Sequence, residues 1–111
     1  MKLDIDVSTL NSLTWITLDG ELDLASARGL ERRLDAIPLA HTDVRLDLSE
    51  LTFVDSAGLS VLLRLANRAE EEGRRVTLVR PRPEVARLLW LVDVSGRFHI
   101  EGLPEDVGVR V

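Results

Sequence analysis

The residues best equipped for chemistry in this sequence are concentrated in FVDSAGLS, residues 53–60. Ser56 offers a hydroxyl, Asp55 a carboxylate beside it, and Gly58 removes a side chain two residues on. A nucleophilic serine needs a general base within hydrogen-bond reach and a third group to orient that base. The two imidazoles, His41 and His99, are remote in sequence, and G-x-S-x-G spacing is missing around Ser56. Asp55 is too weak a base for a serine hydroxyl near neutral pH, so no enzyme is expected here. The start of a helix would welcome an anion. DSAGL, however, lacks the glycine-rich loop and lysine of a phosphate-binding loop, Asp55 repels phosphate, and GxGxxG is absent.

The remaining chemistry is modification by another protein. A phosphate on a serine in an exposed first turn adds about -1.5 to -2 charge at pH 7. The helix dipole tolerates such a charge by about 0.3–1 kcal/mol, so the domain need not unfold. The dianion beside Asp55 would instead repel an acidic or apolar partner patch. A coupling of about 1–3 kcal/mol changes affinity about 5–150-fold. Capping is the plainer role: either Asp55 or Ser56 can serve as N-cap, for about 0.5–2 kcal/mol. Gly58 costs about 1 kcal/mol against alanine inside a helix, and a glycine there points to the close approach of a partner or ligand.

The bulk properties exclude other classes. With 111 residues the chain reads as one domain, 1–111, able to bury about two-thirds of its unfolded surface. The absence of cysteine removes disulfides, thiolate metal sites and cysteine nucleophiles. Two isolated histidines do not make a metal site, and both read as surface or strand-end residues, so no metal or cofactor is expected. The net charge of -5 disfavours nucleic acid. The opening MKLDIDVSTL is not a signal peptide, and no window approaches the roughly 20 apolar residues of a membrane span. A cytoplasmic protein with no membrane contact is expected.

The elements that position the motif follow from the apolar period. Residues 3–7 alternate Leu3, Ile5 and Val7 against Asp4 and Asp6; residues 13–19 place Ile16 and Leu18 opposite Leu13, Trp15 and Thr17. A connection at 8–11 makes these a hairpin, with Trp15 packed on its neighbours. Leu24, Ala27, Leu30, Leu34 and Ile37 form the buried stripe of a helix ended near Pro38. Residues 44–48 are a strand with Val44, Leu46 and Leu48 inward, and Leu51 and Phe53 prolong the apolar run. A second helix runs from Ser56 or Ala57 to about Glu72, buried through Leu59, Leu62, Leu63, Ala66 and Ala69, with Gly73 at the left-handed position after it. Residues 76–79 form the next strand. Pro83 and Glu84 start a third helix with Val85, Leu88, Leu89 and Val92 on its apolar face. Phe98 and Ile100 mark a last strand. The predicted fold is α/β, a small mixed, mostly parallel sheet with packed helices.

Four segments in this order resemble the STAS domain, shared by sulphate transporters and bacterial anti-sigma-factor antagonists. They are GELD at 20–23, LDLSELTFVDSAGL at 46–59, GRRVTLV at 73–79 and PEVARLLWLVDVSGRF at 83–98. The resemblance covers about residues 20–98, and D-S-x-G-L after an apolar strand is its most specific mark. For the antagonist type it implies Ser56 as the residue phosphorylated by an anti-sigma factor that is itself a serine kinase. The unmodified protein would bind that partner and free the sigma factor, and the phosphorylated one would let go until a protein phosphatase resets it. By the same resemblance Asp23, Asp55, Ser56, Ala57, Gly58 and Leu59 form the partner-binding surface. Asp23 reads equally as a helix N-cap. Ala57 stands where the family often has a second hydroxyl, leaving Ser56 the sole candidate within the motif, and Ser60 is expected on a helix flank. Trp90 is expected in the core rather than as an exposed anchor. A monomer or weak dimer is expected before partner binding. STAS domains also serve as unmodified interaction subunits of a lipid-transport ATPase complex or of a stress-sensing assembly, which is the alternative role.

Overall fold

The computed structural model of the chain describes residues 2–36, 42–92, 96 and 98–103, with Val92 described by its backbone alone. Its elements are β1 (Leu3–Leu10), β2 (Leu13–Leu22), α1 (Leu24–Ala36), β3 (Asp43–Val54), α2 (Ser56–Glu71), β4 (Val76–Val79), α3 (Pro83–Val92) and β5 (His99–Glu101). The five strands lie side by side in sequence order. β1 is antiparallel to β2 and every later neighbour is parallel. This is the α/β fold with a mixed, mostly parallel sheet that the alternating periods predict.

The strands run further than their alternating cores suggested. Ser8, Thr9 and Leu10 pair with Trp15, Thr14 and Leu13, so the hairpin turns at Asn11 and Ser12 instead of at 8–11. Asn11 adopts φ 58° there, a left-handed conformation that asparagine accepts more readily than most residues. At the other end β2 and β3 continue through two register shifts to the pairs Glu21 with Phe53 and Leu22 with Val54. Each strand therefore stops one residue short of the cap of its following helix, which brings the starts of α1 and α2 together.

Ile16, Leu18, Val44, Leu46, Leu48 and Leu78 on the sheet join Ala27, Leu30, Leu34, Leu62, Ala66 and Leu89 from the three helices in one buried cluster. Leu59 and Ala69 are buried as expected, while Leu63 is only partly so. Gly73 takes φ +70° behind α2, and the Arg74 N–H closes back on the Ala69 carbonyl at 2.8 Å. On the opposite face of the sheet the Arg45 guanidinium stacks 5.1 Å from the Trp15 ring centroid. It also reaches both oxygens of Glu101, at 2.6 and 3.2 Å.

Two expectations, for Leu24 and Trp90, are corrected, and one side chain that prolongs the apolar run of β3 is exposed. Leu24 is 69% exposed: as the first residue of α1 its side chain leans back toward the helix start, beyond the sheet. Phe53 is 46% exposed, because its neighbour Val54 takes the inward position and alternation turns Phe53 away. Trp90 is 52% exposed rather than in the core; α3 packs through Val85, Ala86 and Leu89, and Trp90 lies off that stripe. Ile37, Pro38, His41 and the Val92 side chain lie outside the described residues. Among the described residues no helix is long and apolar enough to cross a membrane.

Candidate functional site

Helices α1 and α2 begin next to each other at the ends of β2 and β3, and an aspartate caps each. Asp23 Oδ1 accepts the Ser26 N–H at 2.9 Å, and the Ser26 hydroxyl accepts the Asp23 N–H at 2.9 Å. That reciprocal pair is a capping box with serine in the usual glutamate place. The Ser26 hydroxyl donates to the Glu21 carbonyl at 2.8 Å, tying the cap to the end of β2. The Ser26 N–H, with help from its hydroxyl and the Ala25 N–H, outweighs burial and holds the Asp23 carboxyl below its ordinary value. Asp23 is thus an N-cap in fact, only 9% exposed.

Asp55, not Ser56, caps α2. Its backbone is extended, φ -107° and ψ -175°, and Oδ1 accepts the Gly58 N–H at 3.0 Å. Its second oxygen, Oδ2, accepts the Leu24 N–H at 3.1 Å. One carboxylate therefore satisfies free donors of two helices, a contact across 31 positions that local sequence cannot announce. The Asp55 N–H donates to the Leu22 carbonyl at 3.1 Å, so the cap hangs from the last rung of the sheet.

Ser56 is the first residue of α2 and is exposed. Among the described residues its hydroxyl makes no hydrogen bond. Ser60 turns back and donates to the Ser56 carbonyl at 2.9 Å, so its own hydroxyl is engaged within the helix. Ala57 is half-buried against the core cluster.

Gly58 and Leu59 lie inside, Leu59 only 5% exposed. A Cβ at Gly58 would sit 2.6 Å from Leu22 Cγ, 2.7 Å from the Leu22 carbonyl oxygen and 3.0 Å from Val54 Cγ2. The glycine is required by the chain's own β2, which corrects the expectation that a partner comes close there. Of the six residues expected to form a partner surface, Ser56 is open, Asp55 and Ala57 are half-buried, and Asp23, Gly58 and Leu59 hold the platform from beneath. Leu24, which apolar patterning assigned to the interior, and Phe53, which prolongs the apolar run of β3, are exposed beside it. Their signal in the sequence is only position: each lies within two residues of a capping aspartate. Among the described residues no group of three or more His, Asp or Glu side chains is placed to hold a metal ion.

The family model described as "Mlab, STAS domain" matches residues 5–104. The chain is 29% identical over 98 residues to the anti-sigma-B factor antagonist of Bacillus subtilis (strain 168), covering 86% of this chain and 85% of that protein. It is 31% identical over 102 residues to the anti-sigma F factor antagonist of Paenibacillus polymyxa, covering 90% and 85%. A crystal structure of an anti-sigma factor antagonist from Mycobacterium paratuberculosis shares the fold, with a TM-score of 0.80 at 21% identity over 96% of this chain and 91% of that one.

Proposed function

Because this chain belongs to the STAS domain family, we propose that it is an anti-sigma-factor antagonist switched by phosphorylation of Ser56. The observation that carries the reading is the open Ser56 hydroxyl at the start of α2, which the Asp55 cap fixes and ties to the start of α1. Unmodified, the protein binds an anti-sigma factor and frees the sigma factor for transcription. That partner, a serine kinase, supplies ATP, magnesium and the base. The γ-phosphoryl group of ATP passes to Ser56 Oγ, the hydroxyl proton goes to the kinase's base, and ADP leaves.

The product keeps its fold, since the caps of α1 and α2 do not use the Ser56 hydroxyl. It gains about -1.5 to -2 charge next to Asp55, and the complex parts. A protein phosphatase restores serine by hydrolysis, releasing inorganic phosphate. The protein works in the cytoplasm, as a monomer or weak dimer before partner binding, and is itself no enzyme.

A second reading has its own support. Asp55 caps two helices and Gly58 packs on Leu22, so the motif has a structural use without any switch. The chain would then be an interaction subunit of a lipid-transport ATPase complex or a stress-sensing assembly, with Ser56 permanently unmodified.

Incubation with ATP and each anti-sigma kinase of its own genome, followed by intact mass and phosphopeptide mapping, separates the two. A single phosphate on Ser56, lost in Ser56→Ala, is expected. Ser56→Ala should hold the kinase and Ser56→Asp release it. No phosphate with any kinase, alongside a stable complex with an ATPase or stress-assembly component, would establish the second reading instead.

A further inference from the structure

Single exposed apolar side chains are ordinary on protein surfaces. Leu24 and Phe53 are distinguished by where they stand and how they are held. Leu24 belongs to an apolar stripe that patterning places inside, and Phe53 prolongs the apolar run of β3, yet they are 69% and 46% exposed. Departures of that kind are expected where a surface is kept for function. Phe53 precedes Asp55 by two residues, and the Leu24 N–H is bonded to the Asp55 carboxylate, so β3 and α1 bring both next to the residue that precedes Ser56. Both backbones are fixed, Phe53 by pairing with Glu21 and Leu24 by Asp55. Anchors already ordered lose little freedom on docking. The other exposed large apolar residues among those described, Leu10, Leu13, Trp90, Leu91 and Leu103, lie at the hairpin turn, on the later part of α3 or after β5.

The charge around the pair is acidic. Glu21 is paired with Phe53, Asp23 directly precedes Leu24, and Asp55 lies between the two. Arg28, exposed four residues along α1 from Leu24 and so on the same helix face, offsets one of these three carboxylates and leaves the surroundings net acidic. Nucleic acid and anionic membrane are both disfavoured by that balance. We propose that Leu24 and Phe53 are the anchors by which the antagonist docks on its anti-sigma factor, seated in an apolar cleft rimmed by cationic side chains. This rests on the reading of Ser56 given above and supplies its physical basis. A cleft that takes water from Leu24 and Phe53 must also take it from whatever Ser56 carries. A hydroxyl loses little on that transfer, whereas a phosphate dianion loses its hydration without a paired cation at that point.

The test uses the full chain with purified anti-sigma kinases of its own genome, by titration calorimetry, with the thermal midpoint of every variant measured alongside. Leu24→Gln and Phe53→Thr should each weaken binding about tenfold or more, while Trp90→Gln leaves it unchanged. Association with the unmodified protein should slow as salt is raised. If Phe53→Thr lowers the thermal midpoint, the exposed Leu24→Gln alone carries the decision.

Binding that ignores both substitutions would sink this inference and leave the Ser56 switch standing. Binding that Ser56→Asp does not release would sink the switch. A wild-type chain that binds none of the kinases at micromolar concentration would sink both. Self-association of the chain alone, abolished by Leu24→Gln, would overturn the proposal in favour of a second copy as the occupant. Binding of anionic vesicles or single-stranded DNA through the same residues would overturn it for those classes.

Discussion

The carboxylate of Asp55 accepts the backbone N–H of Leu24 at 3.1 Å while its other oxygen caps α2 at Gly58. The starts of two helices thus depend on one side chain. Replacing Asp55 by alanine leaves two helix-start donors without their partner, at about 0.5–2 kcal/mol for each cap. Asp55→Ala is expected to lower stability by about 1–3 kcal/mol. Asp55→Asn, which keeps one acceptor oxygen, should lose about half as much. Urea unfolding of both variants checks the ratio; equal losses would mean that only one of the bonds matters.

Gly58 and Gly29 make opposite predictions for the same substitution. Both lie in helices, where alanine is favoured by about 1 kcal/mol. A Cβ at Gly58 would meet the Leu22 carbonyl oxygen at 2.7 Å, and that oxygen is held by the Asp55 N–H. Overpacking of about 1–3 kcal/mol outweighs the propensity gain, so Gly58→Ala should melt earlier. At Gly29 the added carbon would meet nothing within 4 Å beyond its chain neighbours and the backbone of its own helix, so Gly29→Ala should melt later.

Glu101 of β5 is tied to Arg45 of β3 across the intervening β4. The hydrogen bonds and charge of Arg45 outweigh burial and hold the Glu101 carboxyl below its ordinary 4.5. Titration of Glu101 followed by NMR should return toward the ordinary value in Arg45→Gln. The same substitution should alter Trp15 emission, since the guanidinium leaves its ring. The ion pair is half open to solvent, so added salt should erode its effect.

Acid should destabilise the protein through a small set of carboxylates. Asp23 and Glu101 both have lowered folded pKa values. Asp47 joins them: burial pushes its carboxyl up, but the Ser49 N–H and hydroxyl and the Arg80 guanidinium together bring it below 3.8. Groups whose pKa falls on folding contribute their stability above the ordinary values, 3.8 for aspartate and 4.5 for glutamate. That contribution is lost as pH falls through the lowered folded values. Stability should therefore be insensitive to these groups from pH 6 to 7 and decline below about 4.5, less steeply in Asp23→Asn. An Asp23→Asn variant with an unchanged acid slope would remove Asp23 from the set.

The order of elements, the mixed sheet and the motif Asp55-Ser56-Ala57-Gly58-Leu59 at the start of α2 were all legible in the sequence. Side-chain alternation and the helical repeat are local properties, so Ile16, Leu18, Leu46 and Leu62 announce their burial through near neighbours alone. Gly73 likewise declares the end of α2, because only its own backbone has to adopt the left-handed turn. The bond from Leu24 to Asp55 depends on two strands ending side by side, and no period within either segment encodes it. For the same reason Leu24 and Trp90 carried a core expectation without a core place: apolar character is written in the residue, but cover comes from elements elsewhere in the chain. The reason for Gly58 was decided there too, since the atoms that exclude a side chain belong to Leu22 and Val54, delivered by strands that the helix itself does not specify.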